Sequence, residues 1–219
     1  GGNETVTKCH ALKMIAPDGK MRLTDAADTE TMLRLIQSIP SPNAEPFKLW
    51  LARVGYERLE ETADPELAID RALKTYLQKG YSREWINQRL KSIEIRKALT
   101  DEWEKRGVKE GLEFAILTNE ITEAWAGLTT REYKKLKDLK KENLRDNMTN
   151  LELVLNMLAE TATTAISEKR EPKNLDENKV VAHEGGSIAG NARKQIERKT
   201  GKRVITSQNA KTLQKKKLE

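Results

Sequence analysis

The 219 residues are 34% charged and 37% hydrophobic, with two Phe, four Tyr and four Trp. This composition suits thin helical layers in one large or two small domains rather than a thick central core. One cysteine excludes a disulfide framework and a Cys-rich zinc site. No apolar run nears the roughly 18 residues of a membrane span, and a cytoplasmic location is expected. Ten Lys/Arg and two Asp/Glu between Arg193 and Glu219 carry +8 of a net +6, leaving −2 for the remainder. The basicity belongs to the tail, so net charge says little about what the body binds.

In chain order, residues 5–24 read as a β-hairpin, with Pro17 at the first corner of the turn and Gly19 free to take positive φ. The rest reads as helix. Met32, Leu33, Leu35, Ile36 and Ile39 mark a first apolar face, which Pro40 stops. Three of the six prolines fall between Pro40 and Pro46. They predict a stiff elbow: Asn43 caps the next helix and Pro46 occupies its first turn, where a missing N–H costs little. That second helix shows Phe47, Trp50, Leu51, Val54 and Leu59. A third follows Asp64-Pro65, and a fourth, capped by Ser82, carries Trp85, Ile86, Leu90, Ile93, Leu99 and Trp103. Residues 109–126 form a fifth. Two capping boxes follow, Thr129 with Glu132 and Thr149 with Glu152. The second opens a helix with the stripe Leu151, Val154, Leu155 and Leu158. Residues 167–177 read as a linker. Residues 178–199 read as a helix weakened by Gly185, Gly186 and Gly190, each by about 1 kcal/mol relative to alanine. Small residues at 182, 186, 189 and 190 admit a close backbone, so this segment is expected to need a partner surface, a second copy included. The residues beyond 200 are expected to pack poorly.

The predicted fold is therefore mainly α, a multi-helix bundle preceded by a small hairpin. Its expected divisions are 1–62, 63–168 and 169–219.

Catalytic chemistry finds little to stand on. Cys9 and His10 are neighbours on a strand and face opposite sides, which spoils them as nucleophile and base. No phosphate loop, nucleophile elbow or metal-ligand spacing occurs, so no enzyme activity, cofactor or metal is expected. Trp50, Trp85, Trp103 and Trp125 each fall in an apolar stripe, where core packing is the ordinary role. The sharpest binding signal lies between Arg131 and Asn147, with seven Lys/Arg against four Asp/Glu. On a continuous helix Lys134, Lys137, Lys141 and Arg145 share one side, extended by Lys135 and Lys140. Such a row neutralises phosphates with little sequence preference. The competing reading is a solvated face beside Tyr133, Leu136, Leu139 and Leu144. Lys215 to Lys217 could also hold an acidic partner.

The stretch "IPSPNAEPFKLWL" resembles the C-terminal portion of the BRO N-terminal domain of phage antirepressors and related bacterial proteins. Further on, "FAILTNEITEAWAGLTTREYKKLKDLKKENLRDNMTNLELVLNMLAE" is similar to the C-terminal region of the DNA-damage-inducible protein D group. Its markers are Phe114-Ala115-Ile116, Asn119, Gly127-Leu128, Leu139-Lys140-Lys141, Asp146, Met148 and Glu152-Leu153. The resemblances cover roughly residues 20–200. The family's opening strand pair and W-x-A/S-x-D-V type helix do not precede Asn3, so the resemblance implies an N-terminally truncated fragment. It further implies DNA-associated regulation in a prophage or DNA-damage setting, without catalytic residues. The expected partner is DNA or a DNA-bound regulator. The alternative is an antirepressor-like interaction module that does not touch DNA.

Overall fold

The computed structural model describes residues 10–210. Among them are two strands and eight α-helices, the mainly helical fold that the patterning predicts. Strand β1 (His10–Ile15) pairs antiparallel with β2 (Met21–Ala26), His10 opposite Ala26 and Ile15 opposite Met21. Gly19 turns the chain at φ 79°, and its N–H donates to Ala16 O at 2.8 Å. The predicted start of the hairpin, with Cys9, lies outside the described residues.

Helix α1 (Thr29–Ser38) is capped by Asp28, whose carboxylate accepts from Thr31 N–H at 2.7 Å. Pro40 breaks it as expected. A short 3-10 turn, Pro42–Ala44, then leads into α2 (Glu45–Ala63), with Pro46 in its first turn. Asn43 does not cap α2, whose N-cap is Ala44 without a side-chain bond; Ser41 caps the 3-10 turn instead, its hydroxyl accepting from Asn43 N–H at 3.3 Å. Lys48 Nζ reaches back to Ile39 O at 2.9 Å and ties the two sides of the elbow together.

The chain divides into two compact units between Arg71 and Ala72, inside α3 (Glu66–Gln78). The expected boundary at 62/63 is thus displaced. In the first unit, Thr31 and Glu61 are the buried side chains among the described residues. Arg71 donates to Glu61 through Nη2 at 2.8 Å, holding the carboxyl below the ordinary glutamate range.

The second unit is organised around aromatic side chains. Helix α4 (Arg83–Lys105) starts at Ser82 as predicted, α5 spans Leu112–Ala126, and α6 spans Thr130–Leu136. A 3-10 turn at Arg145–Asn147 precedes α7 (Asn150–Arg170) and α8 (Leu175–Thr200). Both capping boxes form. Trp85, Trp103 and Trp125 are buried, with Leu99, Leu117, Ile121 and Leu153 around them. Trp50 is 51% exposed, the exception to the expected core role.

Several expectations are corrected. The linker shrinks to residues 171–174, because Glu171 at φ 53° ends α7 and Asn174 caps α8 at once. Helix α8 packs along α5 and α7, so residues 169–210 belong to the second unit. Its small-residue face is filled by the chain itself. A Cβ added at Gly186 would lie 2.6 Å from Ala124 Cβ, and one at Gly185 would lie 2.6 Å from Thr163 Cα. The partner foreseen for that face is therefore α5 and α7, and no second copy is needed to cover it. Residues 201–210 pack too: Val204 and Ala210 are buried. Lys215 to Lys217 lie outside the described residues. On α7, Leu151, Val154 and Leu158 of the predicted stripe are exposed, and the buried side instead carries Leu153, Asn156 and Glu160 beside Leu155. Helices flank α7 on more than one side, so polar side chains with partners enter the interior alongside the apolar ones.

Candidate nucleic-acid interface

Helix α6 is short because the chain reverses just after it. Asp138 takes a left-handed conformation, φ 55°, which Asp tolerates better than most residues. The basic row expected on one helix between 131 and 147 is therefore split among a helix, a loop and a 3-10 turn. Lys137 leaves it altogether. Its ammonium is fully buried and donates to both Glu152 oxygens, at 2.8 and 2.6 Å, and to Gln208 O at 2.5 Å. Burial pushes this lysine below its ordinary range, against the pull of Glu152. It cannot meet a phosphate without breaking the core. Glu152 thus serves twice, as the capping-box carboxylate and as the counter-charge.

Arg145 is also drawn inward. Its Nη2 donates to Glu160 Oε1 at 2.5 Å, beneath the 3-10 turn. The same turn is held from α4: Arg89 Nε donates to Asp146 Oδ1 at 2.7 Å, and Trp85 Nε1 donates to Met148 O at 2.8 Å. Tyr81, stacked on Trp85 with centroids 4.1 Å apart, donates to Asp146 O at 2.8 Å. Burial, with the Asp146 charge behind it, pushes the Tyr81 phenol up to about 12.

The remaining cations gather where the loop folds back over α5. Lys134, Lys135 and Lys140 line a cavity of about 790 Å³ together with Arg96 of α4 and Arg131 of α6. One carboxylate, Asp138, faces these five cationic side chains. Asn119 of α5 sets the start of α6 against this cavity by accepting from Thr130 N–H at 2.9 Å. Glu132 is turned away: Thr129 holds it in the capping box and keeps its carboxyl below the ordinary range.

A second cavity of about 350 Å³ shares Thr118, Thr130 and Lys134 with the first and adds Lys141, Arg145 and Asn156. Its carboxylate, Glu142, accepts from the N–H groups of Lys140 and Lys141 at 2.7 and 2.9 Å. Bonds from its own N–H and that of Lys140 hold this carboxyl below the ordinary range.

Of the six predicted contact residues, the structure therefore assembles Lys134, Lys135 and Lys140 around the larger cavity and Lys141, again with Lys134, around the smaller one. It leaves Arg145 half-buried at the edge and removes Lys137. Arg96, Thr118, Asn119, Arg131 and Asn156 join from four helices. Sequence spacing could not reveal them, because four of them sit on α4, α5 and α7. Asn156, an amide inside the apolar run at residues 153–159, is the available signal. Among the described residues no group of three or more His, Cys, Asp or Glu gathers to hold a metal ion. Among the same residues no helix is long and apolar enough to cross a membrane. Neither a scan against protein-family models nor a search of curated proteins finds a match to this chain.

Proposed function

We propose that this chain is a non-enzymatic, DNA-associated regulatory protein that holds nucleic-acid phosphates in the concavity between α5, α6 and the following loop. The observation that carries the reading is the convergence of five cationic side chains on a cavity with a single facing carboxylate. A concave surface of one sign focuses its field and attracts a polyanion. The donors are lysines and arginines, the ordinary partners of phosphate oxygens, so they favour binding with little sequence preference. The resemblance to antirepressor and damage-inducible proteins points the same way and supplies the setting, a prophage or a DNA-damage response.

The test is a titration of duplex and single-stranded oligonucleotides at several salt concentrations, comparing the chain with the R131A/K134A/K135A/K140A variant. Each lost phosphate contact should lower the salt slope by about 0.9 for duplex or about 0.7 for single strand. The variant should therefore bind weakly and with a slope shallower by about 3. Equal slopes for the two proteins would refute the reading.

An antirepressor-like interaction module is the second reading. It is favoured by the first unit, where Leu12, Met14, Ile15, Met21 and Leu23 of the hairpin and Trp50 and Leu59 of α2 are all exposed. Apolar exposure on that scale marks surfaces that meet another protein. This reading expects no binding to either oligonucleotide at low salt, so the same titration separates the two.

A further inference from the structure

Beneath the concavity lies a charge imbalance that the groove itself does not require. Two guanidinium groups, Arg96 and Arg145, share one buried carboxylate, Glu160, at 3.5 and 2.5 Å. Arg96 also donates to Thr118 Oγ1 at 2.6 Å and lies over the Trp103 ring, 4.8 Å from its centroid. Burial and the neighbouring Arg145 charge push Arg96 down to about 10. The cluster thus holds one positive charge more than it neutralises, in a place where unneutralised charge is expensive.

The smaller cavity opens onto this cluster. Asn156 lines it, is 2% exposed, and its Nδ2 has no hydrogen-bond partner in the protein. Arg145 Nε and Thr130 Oγ1, on two other walls, are likewise buried and without a partner. Lys134 and Lys141 add two cations to the lining and Glu142 one carboxylate, whose Oε2 is occupied by the N–H groups of Lys140 and Lys141. A buried donor left without an acceptor is destabilising, and here several such donors face one small space. Glu160 Oε2 is also without a partner. Glu160, however, stands behind the arginines and is not part of the cavity wall.

We infer that this cavity seats a single phosphate group, whose oxygens accept from Asn156 Nδ2, Arg145 Nε and Thr130 Oγ1 and whose charge is neutralised by Lys134 and Lys141. A tetrahedral anion supplies several acceptor oxygens at once, which suits donors arriving from different walls. A phosphodiester in mid-strand is flanked by sugars on both sides, so a cavity of about 350 Å³ suits a terminal phosphate better. The group is either the terminal phosphate of a nucleic-acid strand lying in the groove or a free phosphate. The inference rests on the groove reading for the first source alone.

The test uses the full chain and two variants at Asn156. Asn156→Leu removes the donor at similar volume, and Asn156→Asp turns a carboxylate onto the cavity; circular dichroism checks that each is folded. Inorganic phosphate, against chloride at equal ionic strength, should raise the melting temperature of the wild type and broaden its own phosphorus resonance, with both effects lost in the two variants. Oligonucleotides carrying a 5′- or 3′-phosphate should bind about tenfold tighter than the same strands ending in hydroxyls if the strand end is the source. Equal binding of all these strands, with the inorganic phosphate response kept, assigns the site to a free phosphate. A phosphate response in a chain that binds no oligonucleotide keeps the site and refutes the groove. No phosphate response and no preference for a phosphorylated end, or responses unchanged by both variants, overturns the inference.

Discussion

The two units are written in the same helical language and use it differently. In α1 and α2 apolar residues recur at helical spacing, yet Trp50, Val54 and Leu59 remain exposed. In α4, α5, α7 and α8 the same spacing buries three tryptophans, and even Lys137, Glu152 and Glu160 are enclosed. The lesson is that periodicity specifies a helix, whereas burial depends on whether a further layer lies over its apolar face. The second unit supplies that layer from its own chain. The first, among its described residues, does not.

The largest expected contrast is between tryptophans. Trp103→Ala should cost about 3–5 kcal/mol, as truncation of a fully enclosed ring does. Trp50→Ala should change stability by no more than about 0.5 kcal/mol. Urea unfolding of the two variants would measure both, and a large loss at Trp50 would mean that the first unit hides a core. Ion pairs sharpen the same comparison. Glu152→Ala strands a buried ammonium and a helix cap, at a cost of about 3–5 kcal/mol. Asp18→Ala opens the exposed Arg22 pair, worth about 0–1 kcal/mol.

Glycines give a smaller effect, and one of opposite sign in the two units. Gly186→Ala drives a methyl into Ala124 and the Ile121 carbonyl and should destabilise by about 1–3 kcal/mol. Gly55, inside α2, has open space around it, so Gly55→Ala should stabilise by about 0.5–1 kcal/mol. Thermal melts would show the two shifts in opposite directions. The smallest effect is the acid response. Glu61 in the first unit and Glu132 in the second both have lowered pKa values, from the Arg71 bond and the Thr129 cap respectively. Each binds its proton more readily unfolded than folded. Its contribution is therefore complete above the ordinary glutamate range and is lost as pH falls through the depressed folded value. Melting temperature followed downward from pH 5 should fall, and the fall should be shallower in Glu61→Gln and Glu132→Gln.

Much of this fold was legible because its punctuation is chemical. Pro40 and Pro46, Ser82 and the two Thr/Glu boxes act through local backbone geometry, and local rules read them correctly. The site was less legible. The spacing of Lys134, Lys135, Lys140 and Lys141 implies a helix that in fact ends at Leu136, since nothing local announces the left-handed turn at Asp138. Spacing also puts Lys137 on a surface it never reaches, because its partner Glu152 is found only through tertiary packing. Likewise Gly186 announces a close approach without saying to what. The structure answers with Ala124 of α5.

The central claim is that the cations around α6 and its loop meet phosphates. Lysine acetylation of the full chain, mapped by mass spectrometry with and without an oligonucleotide, tests it most directly. The account predicts protection at Lys134, Lys135, Lys140 and Lys141, unchanged reactivity at Lys91 and Lys97, and a Lys137 that stays unreactive throughout. Unchanged reactivity at the first four lysines while others become protected would contradict it.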